Sequence, residues 1–559
     1  MKTLKWTLAA LVTAVLASAA AAQTAPARQG GAVASPANSV EMASLAPADA
    51  KALIETLDAT GLRRDLLESK FWAALEQTQA FQEWRAGEKY AQMRQRIDQF
   101  LKSIDMSEDK ALKTYLGRRS AVVLLPSDDE KKPDGVLLLQ VAGAAPDESE
   151  ALARRFVESV GAQEVKKHRD VAVWEVQKDS SVDRMAFRGG VLMITSAGGD
   201  ALERVLDAAL GGPSLGATED FKRATEGLPP DWGARAYAAR CPPRKGPGAV
   251  ALYPQGSGHV HFEWRLVGGE ADLSLTRPAQ LAGPGALPDT AVAAVSTVFY
   301  PDAIWEKIKA KAAQQGTAGE EKIRRAEMFM RGWFIGKTMP EITAAFGPEA
   351  SLAVLKGEAD GAPSLVGLVR ISPTGKAVAQ AFKDGLAAKA MILAALRDPN
   401  KQEGPRINVR EETVGSTPML VVEAPGLLDK VLGDWAKDIA LTVAVTDRWL
   451  IVGTSASGVR ASIRTATGAQ DGATLAAALA AEGEKIPTGP VTHWGVIRPA
   501  GSADIVLGFA EKLAGKERLE QARKLTNLAE LLKLVRRFSW QRTDEAEVIC
   551  GKADIQAVE

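Results

Sequence analysis

Residues 187–196 read FRGGVLMITS and residues 446–455 read TDRWLIVGTS, and these two stretches decide the class of fold. In each one a turn of glycine or polar residues separates two strand-forming segments, which predicts antiparallel strands joined by a tight turn. The stretches end in Ser196 and Ser455, directly before helical segments, where a serine commonly caps a helix. The same order of elements therefore occurs twice, which indicates a duplicated module.

The similarity extends in both directions from these stretches, and the matches occur in the same order in both copies. The matched segments are 47–49 with 288–290, 115–117 with 346–348, 213–215 with 473–475, and 262–264 with 538–540. The offset between the copies grows from 231 residues at Tyr115 and Phe346 to 276 residues at Trp264 and Trp540. Helical insertions in the second copy, near 389–397 and 510–535, account for this growth.

The predicted strands come in consecutive pairs, so they cannot all be joined by the long crossovers that parallel strands need. Between them, apolar residues recur at the three- and four-residue spacing of amphipathic helices. One such helical face carries Leu519, Ala522, Leu525, Leu528, Leu532 and Val535. We therefore predict an α+β fold of two tandem similar domains, with mainly antiparallel sheets and helices packed on one face.

The N-terminal residues predict export. Lys2 and Lys5 precede an apolar run at 8–16 and small residues at 18–22, which is the pattern of a secretory signal peptide. No later run of about 18 apolar residues could span a bilayer, so we expect no transmembrane segment after signal cleavage. The mature protein is then periplasmic or secreted, with an uncleaved N-terminal anchor as the alternative.

The composition of the remaining chain predicts its division into domains. Residues 23–44 contain hardly any large apolar side chain, so we expect a disordered linker there. The glycine- and proline-rich residues 280–287 indicate a second linker. The predicted segments are a signal peptide at 1–22, a disordered linker at 23–44, a first domain at 45–279, a linker at 280–287 and a second domain at 288–559.

The chain has 69 basic and 69 acidic residues and therefore a formal net charge of zero. It has no net positive charge that would attract nucleic acid. Cys241 and Cys550 are the two cysteines. In an oxidising compartment they are candidates for a disulfide, and the alternative is two buried thiols that act as small apolar residues.

The strongest polar pattern lies at His259, His261 and Glu263, which alternate along a predicted strand and so share one face. Imidazole and carboxylate groups in this arrangement could bind a divalent metal. An exposed polar strand face has the same pattern, however, and we favour that interpretation. At the corresponding positions the second copy has Val535, Arg537 and Ser539. The sequence therefore predicts no metal site, no cofactor and no catalytic residues.

Three short motifs carry a resemblance to a known family: LPDT at 287–290, FGPE at 346–349 and GGPSL at 211–215. Their order resembles an exported bacterial cell-envelope family catalogued only as a domain of unknown function, present here as a tandem duplication. The resemblance covers the chain from about Leu45 onward. It implies an envelope or secreted location and a duplicated α+β structure, and it supplies no catalytic residues.

The sequence favours a non-enzymatic envelope protein that acts as a scaffold, chaperone or binding module, with an unknown protein or lipid partner. A carrier of a lipid or other hydrophobic ligand is the first alternative, and a large apolar pocket would favour it. A metal-dependent hydrolase is the second, and further ligands around His259, His261 and Glu263 would favour it. The basic segment 512–537 is a candidate contact with anionic lipid, but we favour the interpretation that its apolar stripe docks on its own sheet.

Overall fold

The computed structural model describes residues 40–67, 69–127, 133–143, 145–178, 181–196, 199–241, 246–254, 258–268, 273–357, 362–395, 407–424, 439–469, 473–484, 486–513, 519–545 and 547–557. The predicted signal peptide and most of the predicted first linker lie outside these residues. Two compact units make up the chain. Unit 1 comprises residues 1–270, 534–536 and 547–559, and unit 2 comprises residues 271–533 and 537–546.

The strands are β1 (Ala52–Thr56), β2 (Ser120–Leu125), β3 (Asp134–Gln140), β4 (Gln163–His168), β5 (Val171–Lys178), β6 (Ser181–Arg188), β7 (Val191–Thr195), β8 (Ala234–Cys241), β9 (Gly246–Pro254), β10 (His259–Val267), β11 (Ala291–Val298), β12 (Phe346–Leu355), β13 (Ser364–Ile371), β14 (Asn408–Val414), β15 (Thr417–Glu423), β16 (Ala440–Val445), β17 (Trp449–Gly453), β18 (His493–Ile497), β19 (Val535–Asp544) and β20 (Val548–Ala557).

The helices are α1 (Ala59–Leu67), α2 (Lys70–Gln77), α3 (Gln79–Ala86), α4 (Glu88–Ser103), α5 (Glu108–Tyr115), α6 (Pro146–Ser159), α7 (Ala201–Ala209), α8 (Glu219–Thr225), α9 (Leu273–Thr276), α10 (Gly283–Ala286), α11 (Pro301–Ala313), α12 (Thr317–Trp333), α13 (Met339–Ala345), α14 (Lys376–Ala395), α15 (Ala456–Thr467), α16 (Leu475–Ala481), α17 (Pro499–Leu513) and α18 (Leu519–Lys533). Single 3₁₀ turns lie at Met42–Ser44 and Leu215–Ala217. Among the described residues, no helix is both long enough and apolar enough to cross a membrane.

Both units contain antiparallel sheets, which confirms the predicted α+β class. The strand order in unit 1 is β4-β5-β6-β7-β3-β2-β1-β8-β9-β10-β20. The order in unit 2 is β14-β15-β16-β17-β13-β12-β11-β18-β19. Each strand from β4 to β9 in the first order has a counterpart in the second.

The segments matched in the sequence make the same backbone contacts in their own units. In unit 1 the Leu215 amide donates to the Ala46 carbonyl at 2.7 Å, and an isolated bridge joins Pro47 to Ser214. In unit 2 the Leu475 amide donates to the Leu287 carbonyl at 2.8 Å, and a bridge joins Pro288 to Thr474.

Helices pack on both faces of each sheet, so the prediction of helices on one face is wrong. On β2, Val123 belongs to the core formed with α7, whereas its neighbour Val122 belongs to the core formed with α5 and α6. On β13, Leu368 packs with α15, and the adjacent Val369 packs with α14. The sequence contained a signal for this, because strands such as β3 are apolar without alternation, as strands buried on both faces are.

Both predicted linkers contribute residues to a hydrophobic core. Met42 and Ala43, from the end of the first linker, are fully buried in unit 1. Residues 280–287 include the short helix α10, and Leu287 lies in the core of unit 2. Small residues and proline gave the composition of a linker, but they also allow a segment to pack closely against a core.

The sequence match between 262–264 and 538–540 relates strands that are not topological equivalents. Residues 262–264 lie on β10, whereas 538–540 lie on β19, which pairs with β18 as β9 pairs with β8. Both motifs place an indole ring over a glycine of the adjacent strand. A Cβ on Gly551 would lie within 2.0 Å of the Trp264 ring, and one on Gly495 within 2.1 Å of the Trp540 ring. The two motifs therefore share a packing role in different strands.

Candidate functional site

The predicted polar strand face lies on β10 of unit 1, which pairs with β9 on one side and with β20 on the other. His261 stands directly between Tyr253 of β9 and Asp554 of β20, and Lys552 is opposite Glu263. Residues that are directly opposite in antiparallel strands have side chains on the same face. His259, His261 and Glu263 are therefore brought together with two charged residues from the end of the chain.

Asp554 links the two histidines. Its Oδ1 lies 2.9 Å from Nε2 of His259 and 2.8 Å from Nδ1 of His261. The other ring nitrogen of His261, Nε2, lies 3.1 Å from Oε1 of Glu263. An ionised carboxylate can only accept hydrogen bonds, so when Asp554 and Glu263 are both ionised this geometry fits a protonated His261 ring that donates from both nitrogens.

The electrostatics of this cluster agree with that assignment. The hydrogen bond to Asp554 raises the pKa of His261 above its ordinary value, although partial burial opposes the rise. Burial acts to raise the pKa of Asp554, but the bonds from His259 and His261 outweigh it and hold that pKa well below its usual range. The pKa of Glu263 is also lowered despite burial, because Lys552 lies 2.9 Å from Oε1 and His261 donates to the same carboxylate.

This geometry favours a structural role for the cluster. A doubly donating imidazole has no lone pair with which to bind a metal. No group of three or more His, Cys, Asp or Glu side chains among the described residues is placed to hold a metal ion. Sequence reasoning found three members of the cluster but missed Asp554 and Lys552, because only strand pairing brings the last strand next to β10.

A second polar group lies on the same sheet, where Arg235 of β8 is opposite Glu55 of β1. The Glu55 side chain is fully buried, and its Oε1 accepts a 2.8 Å hydrogen bond from Nε of Arg235 and another from Nη2. The guanidinium group stacks near two aromatic rings, 4.7 Å from the Trp232 centroid and 5.2 Å from the Phe221 centroid. Burial raises the pKa of the Glu55 carboxyl, and Arg235 opposes this rise.

A pocket of about 360 Å³ opens beside this pair. Its lining residues are Glu41, Arg119, Leu228, Pro229, Pro230, Trp232 and Arg235. Arg119 lies 5.8 Å from the Trp232 centroid, and the Glu41 carboxylate lies 3.8 Å from Arg235. When Glu55 is ionised, the two guanidinium groups are balanced by two carboxylates, so the pocket then has no excess charge with which to attract an ion. Nothing in the sequence pattern indicated this site, because its residues come from distant segments.

The structure does not contain the candidate disulfide. Cys241 lies on β8 and Cys550 on β20, and no disulfide joins them. Strands β9 and β10 lie between them, and neighbouring strands are about 4.8 Å apart. Three such steps far exceed the separation of about 6 Å between Cα atoms that a disulfide requires. Burial raises the pKa of the Cys241 thiol, which fits the alternative of a partly buried thiol.

An exposed apolar surface lies in unit 2, at the end of α12 and the end of α14. Its large apolar residues are Met328, Phe329, Ile335, Met391, Ile392 and Leu393, which are 54% to 63% exposed. They are the large apolar side chains of the described chain whose exposure exceeds one half. We call these six residues the apolar helical surface. The sequence pattern did not predict this surface, because helical periodicity does not by itself show which apolar residues stay uncovered.

Comparisons with family models, with curated proteins and with solved structures returned no match to this chain.

Proposed function

We propose that the chain is an exported, non-enzymatic binding protein of the cell envelope, built from two tandem α+β units that arose by duplication. The apolar helical surface is the observation that carries the proposal. Soluble proteins rarely leave a cluster of large apolar side chains in water unless a partner covers it. The signal-peptide pattern supports export, and the resemblance to an exported family of unknown function points the same way.

The common strand order of the two units supports the duplication. The Leu215 amide donates to the Ala46 carbonyl in unit 1, and the Leu475 amide donates to the Leu287 carbonyl in unit 2. Leu215 and Leu475 are positions that the sequence alone had matched, so matched segments make the same contact in both units. Independent origins would have to reproduce both the order of the strands and these turn contacts.

The other two functions gain less support from the described residues. The pocket of unit 1 is lined by three charged side chains, Glu41, Arg119 and Arg235, which does not favour a hydrophobic cargo. In the cluster around His261 the acidic and imidazole groups pair with one another, and this favours a structural role over hydrolytic chemistry.

Site-specific photo-crosslinking in the producing cell tests the binding proposal. A photoreactive phenylalanine analogue replaces Phe329 or Ile392 in the apolar helical surface, and Leu441 on β16 serves as the matched control because it is 42% exposed. We expect adducts at 329 and 392 that are much weaker at 441. The absence of any adduct at 329 and 392 would refute a binding role for this surface.

A further inference from the structure

We infer that the pocket of unit 1 binds a small organic monocarboxylate, whose carboxylate takes the place that the Glu41 carboxylate occupies beside Arg235. This inference goes beyond the proposed function, because the pocket lies in unit 1 whereas the apolar helical surface lies in unit 2. Such a ligand is a free carboxylic acid or the C-terminal end of a peptide. The two share one chemistry, and the experiment distinguishes them.

Arg235 is the residue that gives the pocket its capacity to bind an anion. Its side chain is only 12% exposed, and its guanidinium group stacks on the rings of Trp232 and Phe221. A planar guanidinium group that is already held in one position loses little conformational freedom when it binds a carboxylate. The site is therefore formed before a ligand arrives.

The pairing of Arg235 with Glu55 leaves donor capacity unused. Nε and Nη2 of Arg235 both donate to Oε1 of Glu55, whereas a bidentate pair uses both oxygens of the carboxylate. Oε2 of Glu55 is buried without a hydrogen-bond partner, and no hydrogen bond of the described residues involves Nη1 of Arg235. Because Arg235 lines the pocket, its guanidinium group can donate to a second carboxylate there.

Glu41 shows where that second carboxylate fits. It is the acidic side chain among the described lining residues, and its Oε1 lies 3.8 Å from Nη2 of Arg235, which is too far for a hydrogen bond. The Glu41 side chain is 58% exposed, whereas the next residues, Met42 and Ala43, are fully buried. The backbone is therefore anchored, and the Glu41 side chain can turn into water without any unfolding.

The balance of charge favours exchange of one carboxylate for another. Arg119 is the second guanidinium group of the pocket, so with Glu55 and Glu41 ionised the two positive charges are already matched. Asp231 is exposed and does not line the pocket. An additional anion would leave an excess of negative charge, but a monocarboxylate that displaces Glu41 preserves the balance. A phosphate dianion would not preserve it.

The remaining wall of the pocket is apolar. It consists of Leu228, Pro229, Pro230 and Trp232, and the Tyr253 hydroxyl fixes it by donating to the Pro229 carbonyl at 3.1 Å. The volume of about 360 Å³ lies at the lower end of the range for small-molecule sites. Such a cavity suits a ligand that joins one carboxylate to a small apolar body.

Isothermal titration calorimetry with the full mature chain at neutral pH tests the inference. The probes are 4-methylpentanoate, an acetylated tripeptide that ends in leucine, and the neutral amide of each. We expect the carboxylates to bind, with each amide at least about tenfold weaker, because the amide loses the charged hydrogen bonds to Arg235. Tighter binding of the tripeptide assigns the site to peptide ends, and tighter binding of 4-methylpentanoate assigns it to free acids.

Two variants test the roles of the residues. Glu41→Gln should bind the carboxylate about threefold more tightly, because it removes a competitor whose exposed ion pair contributes little energy. The double variant Arg235→Met with Glu55→Met should bind at least about tenfold more weakly, and it leaves no buried charge unpaired. Arg154→Met is the matched control, because Arg154 pairs with exposed Glu150 on α6, and its binding should be unchanged. A cooperative melting transition in every variant establishes that it is folded.

Four results would overturn the inference. They are no binding of either carboxylate, equal binding of a carboxylate and its amide, full binding by the double variant, and tighter binding of inorganic phosphate than of either carboxylate. Weaker or unchanged binding by Glu41→Gln would overturn the exchange, because it would show that Glu41 does not compete with the ligand for Arg235.

Discussion

The charged side chains of unit 1 act in groups whose members depend on one another. Arg235 is the close counter-ion of Glu55, whose carboxylate is fully buried. His261 lies between the carboxylates of Asp554 and Glu263, and the bond to Asp554 raises the pKa of its ring and so favours the protonated form. In each group, removal of one member changes the protonation or solvation of the others, so the effects of single substitutions reach beyond the residue replaced.

The Arg235→Met variant should lose about 3–5 kcal/mol of unfolding free energy, because it leaves the Glu55 carboxylate buried without its hydrogen-bonded cation. The double variant that also carries Glu55→Met should recover most of this loss. Urea denaturation measures both. Lys222→Met is the matched control, because its partner Glu219 is highly exposed and such pairs contribute about 0–1 kcal/mol. A loss in Arg235→Met no larger than in Lys222→Met would contradict the assignment.

Stability should depend on pH through His261. Its pKa is raised in the folded state, so its stabilising contribution is fully present below the unfolded pKa of about 6.5 and is lost as the pH rises through the folded pKa. We expect His261→Gln to remove this decline in a series of urea unfolding curves from mildly acidic to mildly alkaline pH.

His493 on β18 should give the opposite dependence of stability on pH. Burial, together with Arg542, lowers its pKa, so its contribution is present above the unfolded pKa and is lost as the pH falls. His493→Gln should therefore flatten the acidic side of the plot of unfolding free energy against pH.

The His261 prediction is contradicted by one result. Identical slopes in the wild type and His261→Gln would show that the charged state of His261 contributes nothing to stability.

At the scale of the elements, helix ends and cross-strand contacts hold the architecture in place. Ser455 caps α15 as predicted, since the Gly458 amide donates to its Oγ at 3.0 Å. Ser196 has no equivalent role, because α7 begins only at Ala201. Val535 begins β19 and does not continue the predicted helical face of α18. Strand pairs are further fixed by tryptophan rings that lie over glycines of the neighbouring strand.

Gly551→Val should lose about 1–3 kcal/mol of unfolding free energy, because its Cβ would displace the Trp264 ring and separate β20 from β10. Gly495→Val should have a comparable effect in unit 2 through Trp540. Tryptophan fluorescence during urea denaturation reports both. Gly489→Ala is the control, because nothing lies within 4 Å of the added methyl group. Unchanged stability of Gly551→Val would mean that the ring does not hold the strand.

At the scale of the whole molecule, the two units are not successive pieces of the chain. The division predicted from the sequence places residues 288–559 together, but residues 547–559 belong to unit 1. There β20 pairs with β10 over nine residue pairs, from His259 and Gln556 to Val267 and Val548. A first domain that ends at the predicted boundary would therefore lack β20 and, with it, Asp554 and Lys552, the charged partners of His259, His261 and Glu263.

A fragment of residues 40–279 should fold poorly for this reason, because it leaves the long edge of β10 unpaired and His261 without Asp554. Joining residues 547–557 to its end through a flexible linker should restore a cooperative unfolding transition in circular dichroism. The control is the same fragment joined to that strand with Gly551→Val. Equal cooperativity with and without the added strand would show that unit 1 is complete without it.

The sequence by itself determined the local elements and their class. Turn glycines between apolar runs predicted paired strands, and the matched turns at 47–49 and 288–290 identified segments that make equivalent contacts in each unit. These signals are readable because turn conformation and helical periodicity depend on residues a few positions apart.

Only the tertiary structure decided which strand completes unit 1, that Asp554 meets His259 and His261, that Cys241 and Cys550 lie apart, and that the apolar ends of α12 and α14 stay uncovered. Each of these outcomes depends on pairing or packing between residues far apart in the chain. The conformational preferences of a segment are the same wherever that segment finally packs. Short-range sequence patterns therefore do not show which distant segments will pair or pack together.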